Sequence, residues 1–208
     1  MKLLFFLFSS LFMFGCSSGI SVSLPEKFED TPEDTAGYLT GSLSATTHGP
    51  SSGEGLVTTL YIRQSGDNEI ITLVNKNDDY DFNTGFMRGQ LFSIALPPGK
   101  YELFCIGFKG DNGNKSIISK SREDLGLEFT ISPGNVTYIG QFITSSLVAK
   151  STLWNQEYPS GYGIITYNEA NERDKALFYE RHPDLTGFSF DYQKLAERDS
   201  QVVSAKSN

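Results

Sequence analysis

A chain of 208 residues has room for one domain of about 150 residues with short end segments, and a body of that size buries about two-thirds of its unfolded surface without needing metal or disulfides. The net charge is −8, or −9 once Lys2 is removed, and the bases are scattered singly among the acids. Such a surface repels phosphates and argues against nucleic-acid binding. The 16 Phe, 10 Tyr and 20 Gly favour short pleated strands joined by turns, and hence a mainly β fold.

Residues 1–15 carry Lys2, an apolar run over 3–14 broken by Ser9 and Ser10, and a small residue, Gly15. One positive charge, about a dozen apolar residues and a small residue at the break describe a secretory signal peptide. The run is too short to cross a hydrocarbon core of ~30 Å, which takes roughly 20 helical residues.

The junction Met13-Phe14-Gly15-Cys16 resembles the lipobox of bacterial lipoproteins: Gly15 and Cys16 match, Met13 is an apolar stand-in, and Phe14 is bulkier than the pattern. The resemblance implies cleavage before Cys16 and diacylglycerol on its thiol, with acyl chains of the palmitate type holding the protein to a membrane. Ser17 in place of Asp implies the outer membrane, if the source is an enteric-type bacterium. The competing reading is an ordinary secreted chain, in which a Cys16–Cys105 disulfide becomes available. A lipidated Cys16 leaves Cys105 as a lone thiol in the apolar stretch 101–108, read as a small, buried, unreactive side chain.

Residues 16–36, rich in Ser, Pro and acids, read as a flexible tether spanning about 25 Å. Strand patterns follow over 37–45, 56–63, 69–74, 86–96, 101–108, 125–131, 136–143, 162–167 and 187–192, separated by Gly, Pro and Asn turns. This spacing predicts an antiparallel β-sandwich over 37–192. Asn168 is placed to cap a helix over about 169–181, ended by His182-Pro183, with an apolar stripe covering one sheet edge and His182 set against the negative end of the helix dipole. Residues 193–208 read as a polar tail.

Residues 92–103 (FSIALPPGKYEL) and 129–140 (FTISPGNVTYIG) resemble the transthyretin-like, or prealbumin-like, sandwich modules of bacterial envelope lipoproteins, in which a proline–glycine turn precedes a strand carrying a tyrosine. The likeness covers about 50 residues and implies a fold and a location, not a reaction.

No catalytic residue, cofactor or metal ligand is assigned. His48 and His182 are the two histidines, and the short signatures of zinc proteases, α/β-hydrolases, phosphate-binding loops and dinucleotide folds are absent. The segment Asn75–Asn83, with Asp78, Asp79 and Asp81, has the oxygens for Ca²⁺ but lacks the mid-loop Gly and closing Glu of an EF-hand, and reads first as a solvated acidic loop. Trp154, Tyr158, Tyr162 and Tyr167 offer a sugar-stacking surface or, more simply, packing. The expectation is a non-catalytic cell-envelope lipoprotein that binds or braces another envelope protein or glycan. The alternatives are an envelope enzyme with a loop-built site around His48, Asp79 or Asp81, and a calcium- or glycan-binding module.

Overall fold

The structure, a computed structural model, describes residues 20–29, 31–32, 35–47, 55–75, 79–111, 116–121, 125–150 and 157–195. The strands are β1 (Ile20–Ser23), β2 (Gly37–Thr46), β3 (Val57–Gln64), β4 (Ile70–Asn75), β5 (Phe82–Asn83), β6 (Met87–Leu96), β7 (Gly99–Asp111), β8 (Ser116–Lys120), β9 (Leu127–Ile131), β10 (Asn135–Lys150), β11 (Glu157–Asn168) and β12 (Ser189–Tyr192). The helices are α1 (Glu26–Glu29) and α2 (Asn171–Arg181), followed by a 3-10 turn at Pro183–Leu185.

The period-two patterns become two six-stranded sheets packed face to face. In β3 the buried positions are Thr58, Leu60 and Ile62; in β4 they are Ile71, Leu73 and Asn75. The first sheet runs β1-β4-β3-β7, with β8 and β9 sharing the other edge of β7. The second runs β5-β6-β2-β10, with β11 and β12 sharing the other edge of β10. The sandwich is therefore as expected from the sequence, but the second sheet is mixed: β10 lies parallel to both β2 and β12.

Mixing arises because the chain changes sheet at its proline turns. The turn at 97–98 links β6 of the second sheet to β7 of the first, and the turn at 132–134 links β9 to β10. Proline has no N–H to continue a ladder. Tyr101 closes the first turn by donating to the Pro97 carbonyl at 2.9 Å, while its ring stacks on Phe129 with centroids 5.9 Å apart. Gly134, at φ 67°, supplies the left-handed residue of the second.

Both long strands carry a bulge where their second edge changes partner. The register of β7 against β3 slips between the Tyr61↔Cys105 and Ile62↔Leu103 pairs, at the point where β9 gives way to β8. The backbone groups there are satisfied from the β8–β9 connection: Ser121 donates to the Ile106 carbonyl at 2.8 Å and Leu125 to the Phe104 carbonyl at 2.9 Å. The β10–β2 register slips between Tyr138 and Gln141, where β12 gives way to β11. Gly140 sits in that bulge at φ 103°, and a Cβ there would lie 2.4 Å from the ring of Tyr167.

The segment 16–36, expected to be a free tether, is docked from Ile20 onward. Ile20, Val22 and Leu24 alternate with polar residues, so β1 pairs antiparallel with β4 and buries Ile20 to 4% exposure. Phe28 of α1 is buried near Tyr101, ring centroids 6.3 Å apart. At the other terminus the expected polar tail is docked through residue 195. Gln193 both donates to and accepts from the backbone of Thr130, and Leu195 is buried in the sandwich core.

Helix α2 covers a face of the second sheet instead of an edge, because Phe178 and Leu185 bury against Leu91 and Val136, with Tyr38, Phe188 and Phe190 around them. It begins at Asn171, and Asn168 does not cap it: its side chain accepts from the Glu169 N–H at 2.8 Å instead. A strand role for Ile20 makes a measurable difference. Ile20→Ala lowers the unfolding free energy by about 2 kcal/mol in a urea titration, whereas a free tether leaves the midpoint unchanged.

Candidate functional site

The most concentrated polar chemistry lies between α2 and the second sheet. Asp174 is wholly buried and accepts from the Ser42 hydroxyl at 2.7 Å and the Tyr138 hydroxyl at 2.9 Å, while Arg173 donates to its other oxygen at 2.8 Å. Arg173 also reaches Ser42 at 3.1 Å and stacks over the Phe82 ring, 3.4 Å from its centroid. Tyr138 in turn accepts from the Ala170 N–H at 3.2 Å, doing at the start of α2 what a capping side chain does elsewhere. Burial, then the adjacent Asp174 charge, push the Tyr138 phenol far above its ordinary value, so it stays a donor.

Serine, carboxylate and tyrosine together invite a catalytic reading, yet Ser42, Tyr138 and Asp174 are each 0% exposed and the serine hydroxyl already donates to the carboxylate. A nucleophile needs access to its substrate. The cluster is a polar pin that fixes the helix on the sheet.

The acidic loop has similar internal uses. Asp81 is almost wholly buried and ion-paired with Arg181, and its second oxygen accepts from the Leu91 N–H at 2.5 Å. Arg181 also donates to the Leu91 carbonyl at 3.2 Å. Asn75 accepts from the Thr58 N–H at 2.6 Å and Asn83 from the Gly85 N–H at 3.0 Å. Asp79 is exposed, and Asp78 lies outside the described residues. Among the described residues no group of three or more His, Cys, Asp or Glu side chains is placed to hold a metal.

His182 differs from expectation. Its ring packs on Phe178, centroids 4.9 Å apart, and lies near Tyr38. Burial there pushes the imidazole below its ordinary value, with Asp184 opposing and Arg181 reinforcing the shift, so it serves as an aromatic and not as a cation on the helix dipole. Tyr167 packs on Gly140 and Phe142 and shares a hydrogen bond of 3.1 Å with Tyr192, an internal role. Met13 to Cys16, which resemble a lipobox, His48 and Trp154, and the side chains of Tyr158 and Tyr162, lie outside the described residues.

Cys105, expected in the core, is half-buried on the outer face of the first sheet, because the bulge in β7 turns both Phe104 and Cys105 outward; Ser121 donates to its sulfur at 3.4 Å. Among the described residues that face gathers aromatic rings and cations. Among the described elements α2 lies on the other sheet, and here Tyr61 and Phe104 sit 6.3 Å apart, with Lys120 over Tyr61 and Arg63 over Phe104 at 4.6 and 4.5 Å. Arg63 is held by Glu102 at 2.5 Å. Tyr61 packs against Gly107, where a Cβ would lie 3.0 Å from the ring. Aromatic rings flanked by cations are the usual currency of binding hot spots. The alternation in 56–63 marks Tyr61 and Arg63 as opposite to Leu60 and Ile62; nothing in the sequence marks Phe104, whose orientation depends on the bulge.

Two measurements test these assignments. Asp174→Ala, which strands Arg173 and Tyr138 without their acceptor, costs about 3 kcal/mol of stability, and Ser42→Ala about 1 kcal/mol, in chemical denaturation. Because His182 takes its proton more readily unfolded than folded, its contribution is intact above the ordinary value of 6.5 and declines as pH falls below it; His182→Phe flattens the stability–pH curve in that window. Among the described residues no helix is long and apolar enough to cross a membrane. Compared with known proteins, the chain matches no family model, no curated protein and no solved structure.

Proposed function

We propose that this protein is a non-catalytic lipoprotein of the bacterial cell envelope: a β-sandwich held to a membrane, the outer membrane if the source is an enteric-type bacterium, by acyl chains on Cys16, and presenting the outer face of its first sheet to another envelope component. The observation that carries the reading is the leader ending in Gly15-Cys16 directly before a folded domain that starts at Ile20. One acyl chain binds a bilayer only marginally, at about 0.8 kcal/mol per buried CH₂, whereas the two or three of a processed lipobox cysteine anchor it stably.

The transthyretin-like resemblance agrees with a sandwich whose proline–glycine turns each lead into a strand with a buried tyrosine, Tyr101 and Tyr138. The binding role rests on Tyr61, Phe104 and their flanking cations, since the serine, tyrosine and carboxylate that come together elsewhere are sealed beneath α2. In the native host, Cys16→Ser moves the protein from the membrane pellet to the soluble fraction and removes the acyl mass from its N-terminal peptide. An unacylated wild-type Cys16 by mass spectrometry ends the lipoprotein reading.

A further inference from the structure

We infer that the sandwich stands end-on to the bilayer, with the turn carrying Phe86 seated in the lipid interface beside the anchor. This inference rests on the lipidation of Cys16 proposed above and adds to it which surface of the domain meets lipid.

The argument starts from reach. Cys16 and Ile20 are four Cα steps apart, so the anchored residue lies within about 14 Å of the first residue of β1, however the intervening chain runs. A 20-residue tether would let any end of the domain reach the bilayer; four steps keep the Ile20 end beside it.

The position of Ile20 then selects one end of the sandwich. Ile20 stands opposite Asn75, whose side chain accepts from the Thr58 N–H at 2.6 Å. The Thr58 hydroxyl meets that of Thr144 at 3.0 Å across the two sheets. Thr144 stands opposite Ala45, and Ala45 opposite Arg88. This unbroken series of neighbours crosses the sandwich at one level, and β1 itself packs against β6. Two residues before Arg88, at the tip of the β5–β6 turn, is Phe86.

Phe86 is 70% exposed, the most exposed of the large apolar side chains described. An aromatic at a turn tip on the anchored end is suited to the headgroup–acyl boundary, where such rings concentrate. The opposite end is built differently. There α1 exposes Glu26 and Glu29, and the β3–β4 turn brings Asp67 and Glu69 beside them, with Lys27 pairing to both of the latter. Exposed acids stand at both ends, since Asp79 follows Asn75 at the anchored end, so it is the apolar exposure of Phe86 that selects the orientation.

The test uses the full chain, lipidated in a bacterial host and placed in phosphatidylethanolamine–phosphatidylglycerol vesicles, with Cys105→Ser so that one introduced thiol takes an environment-sensitive fluorophore. Labels go on Phe86→Cys, on Thr84→Cys in the same turn, and on Asn68→Cys at the far end. Quenchers attached to the lipid acyl chains are expected to dim the labels at 86 and 84 and to leave the label at 68 unchanged, in samples whose Cys16 acylation is verified by mass. Acylated protein in which 86 and 84 are not quenched, or in which 68 is quenched equally, overturns the orientation and leaves the anchor standing. Unacylated Cys16 overturns both.

Discussion

Every backbone N–H and C=O along a buried strand must find a partner, and in this protein two strands are too long for any single neighbour to provide them. β7 runs for 13 residues and β10 for 16, and each divides its outer edge between two shorter strands. The bulges follow from that division. Where one partner ends and the next begins, an extra residue absorbs the mismatch in twist and register. Each bulge then decides something beyond pairing. That in β7 turns Phe104 and Cys105 outward and creates the aromatic face; that in β10 needs a left-handed glycine, and Tyr167 lies on the space where a side chain would be. Surface chemistry and core packing are thus both set by hydrogen-bond accounting along two strands.

The two sheets finish their outer faces differently. The second is roofed by α2, and the roof is held by a buried carboxylate as well as by Phe178. Burying Asp174 is favourable only because Ser42, Tyr138 and Arg173 together meet its oxygens, and its worth lies in fixing one position of the helix more than in net stability. Apolar contacts alone would permit the helix to slide by a turn; a carboxylate that must meet two hydroxyls does not. Burial and the Asp174 charge hold the Tyr138 phenol protonated, so it remains a donor within this pin, while burial lowers the tendency of His182, one turn beyond Phe178, to take a proton. Among the described elements no helix lies on the outer face of the first sheet, where Tyr61 sits against Gly107 and Lys120 and Arg63 lie over Tyr61 and Phe104.

Much of this fold was legible in the sequence, for identifiable reasons. Where one residue in two is apolar, as over 56–63, the period gives both the strand and its buried face. β1 escaped because serines separate Ile20, Val22 and Leu24 in a stretch whose composition resembles a linker; the alternation was present but diluted. The parallel pairings escaped because turn residues such as Pro97 and Pro133 show where a chain reverses and not which sheet it enters next. In the helix, Asp174 falls on the same stripe as Leu177 and Phe178, and an acid on an apolar stripe is itself a sign of a buried partner, though it does not say that the partners are Ser42 and Tyr138, more than thirty residues away. The candidate partner face was half legible: Tyr61 and Arg63 follow from alternation, while Cys105 reads as buried and Phe104 goes unmarked, because a bulge leaves no mark in the pattern.

The shortness of the link between Cys16 and β1 bears on what the open face can reach. On the proposed anchoring, which puts Ile20 at the membrane end, β3 would run outward, and Tyr61, three residues beyond Thr58, would lie about 10 Å farther from the bilayer at ~3.3 Å per residue. Phe104 lies at the same height, since Cys105 pairs with Tyr61. On the proposed anchoring the face would be roughly perpendicular to the membrane and close to it, and would meet components that are themselves attached to, or lying along, that membrane. Confinement to this layer also reduces the rotational freedom that association would otherwise cost, so a modest aromatic face is sufficient for a partner held in the same plane. A long tether would have favoured the opposite arrangement, a mobile domain sampling distant targets. The serine-spaced apolar residues that bring β1 onto the edge of β4 are what separate the two designs.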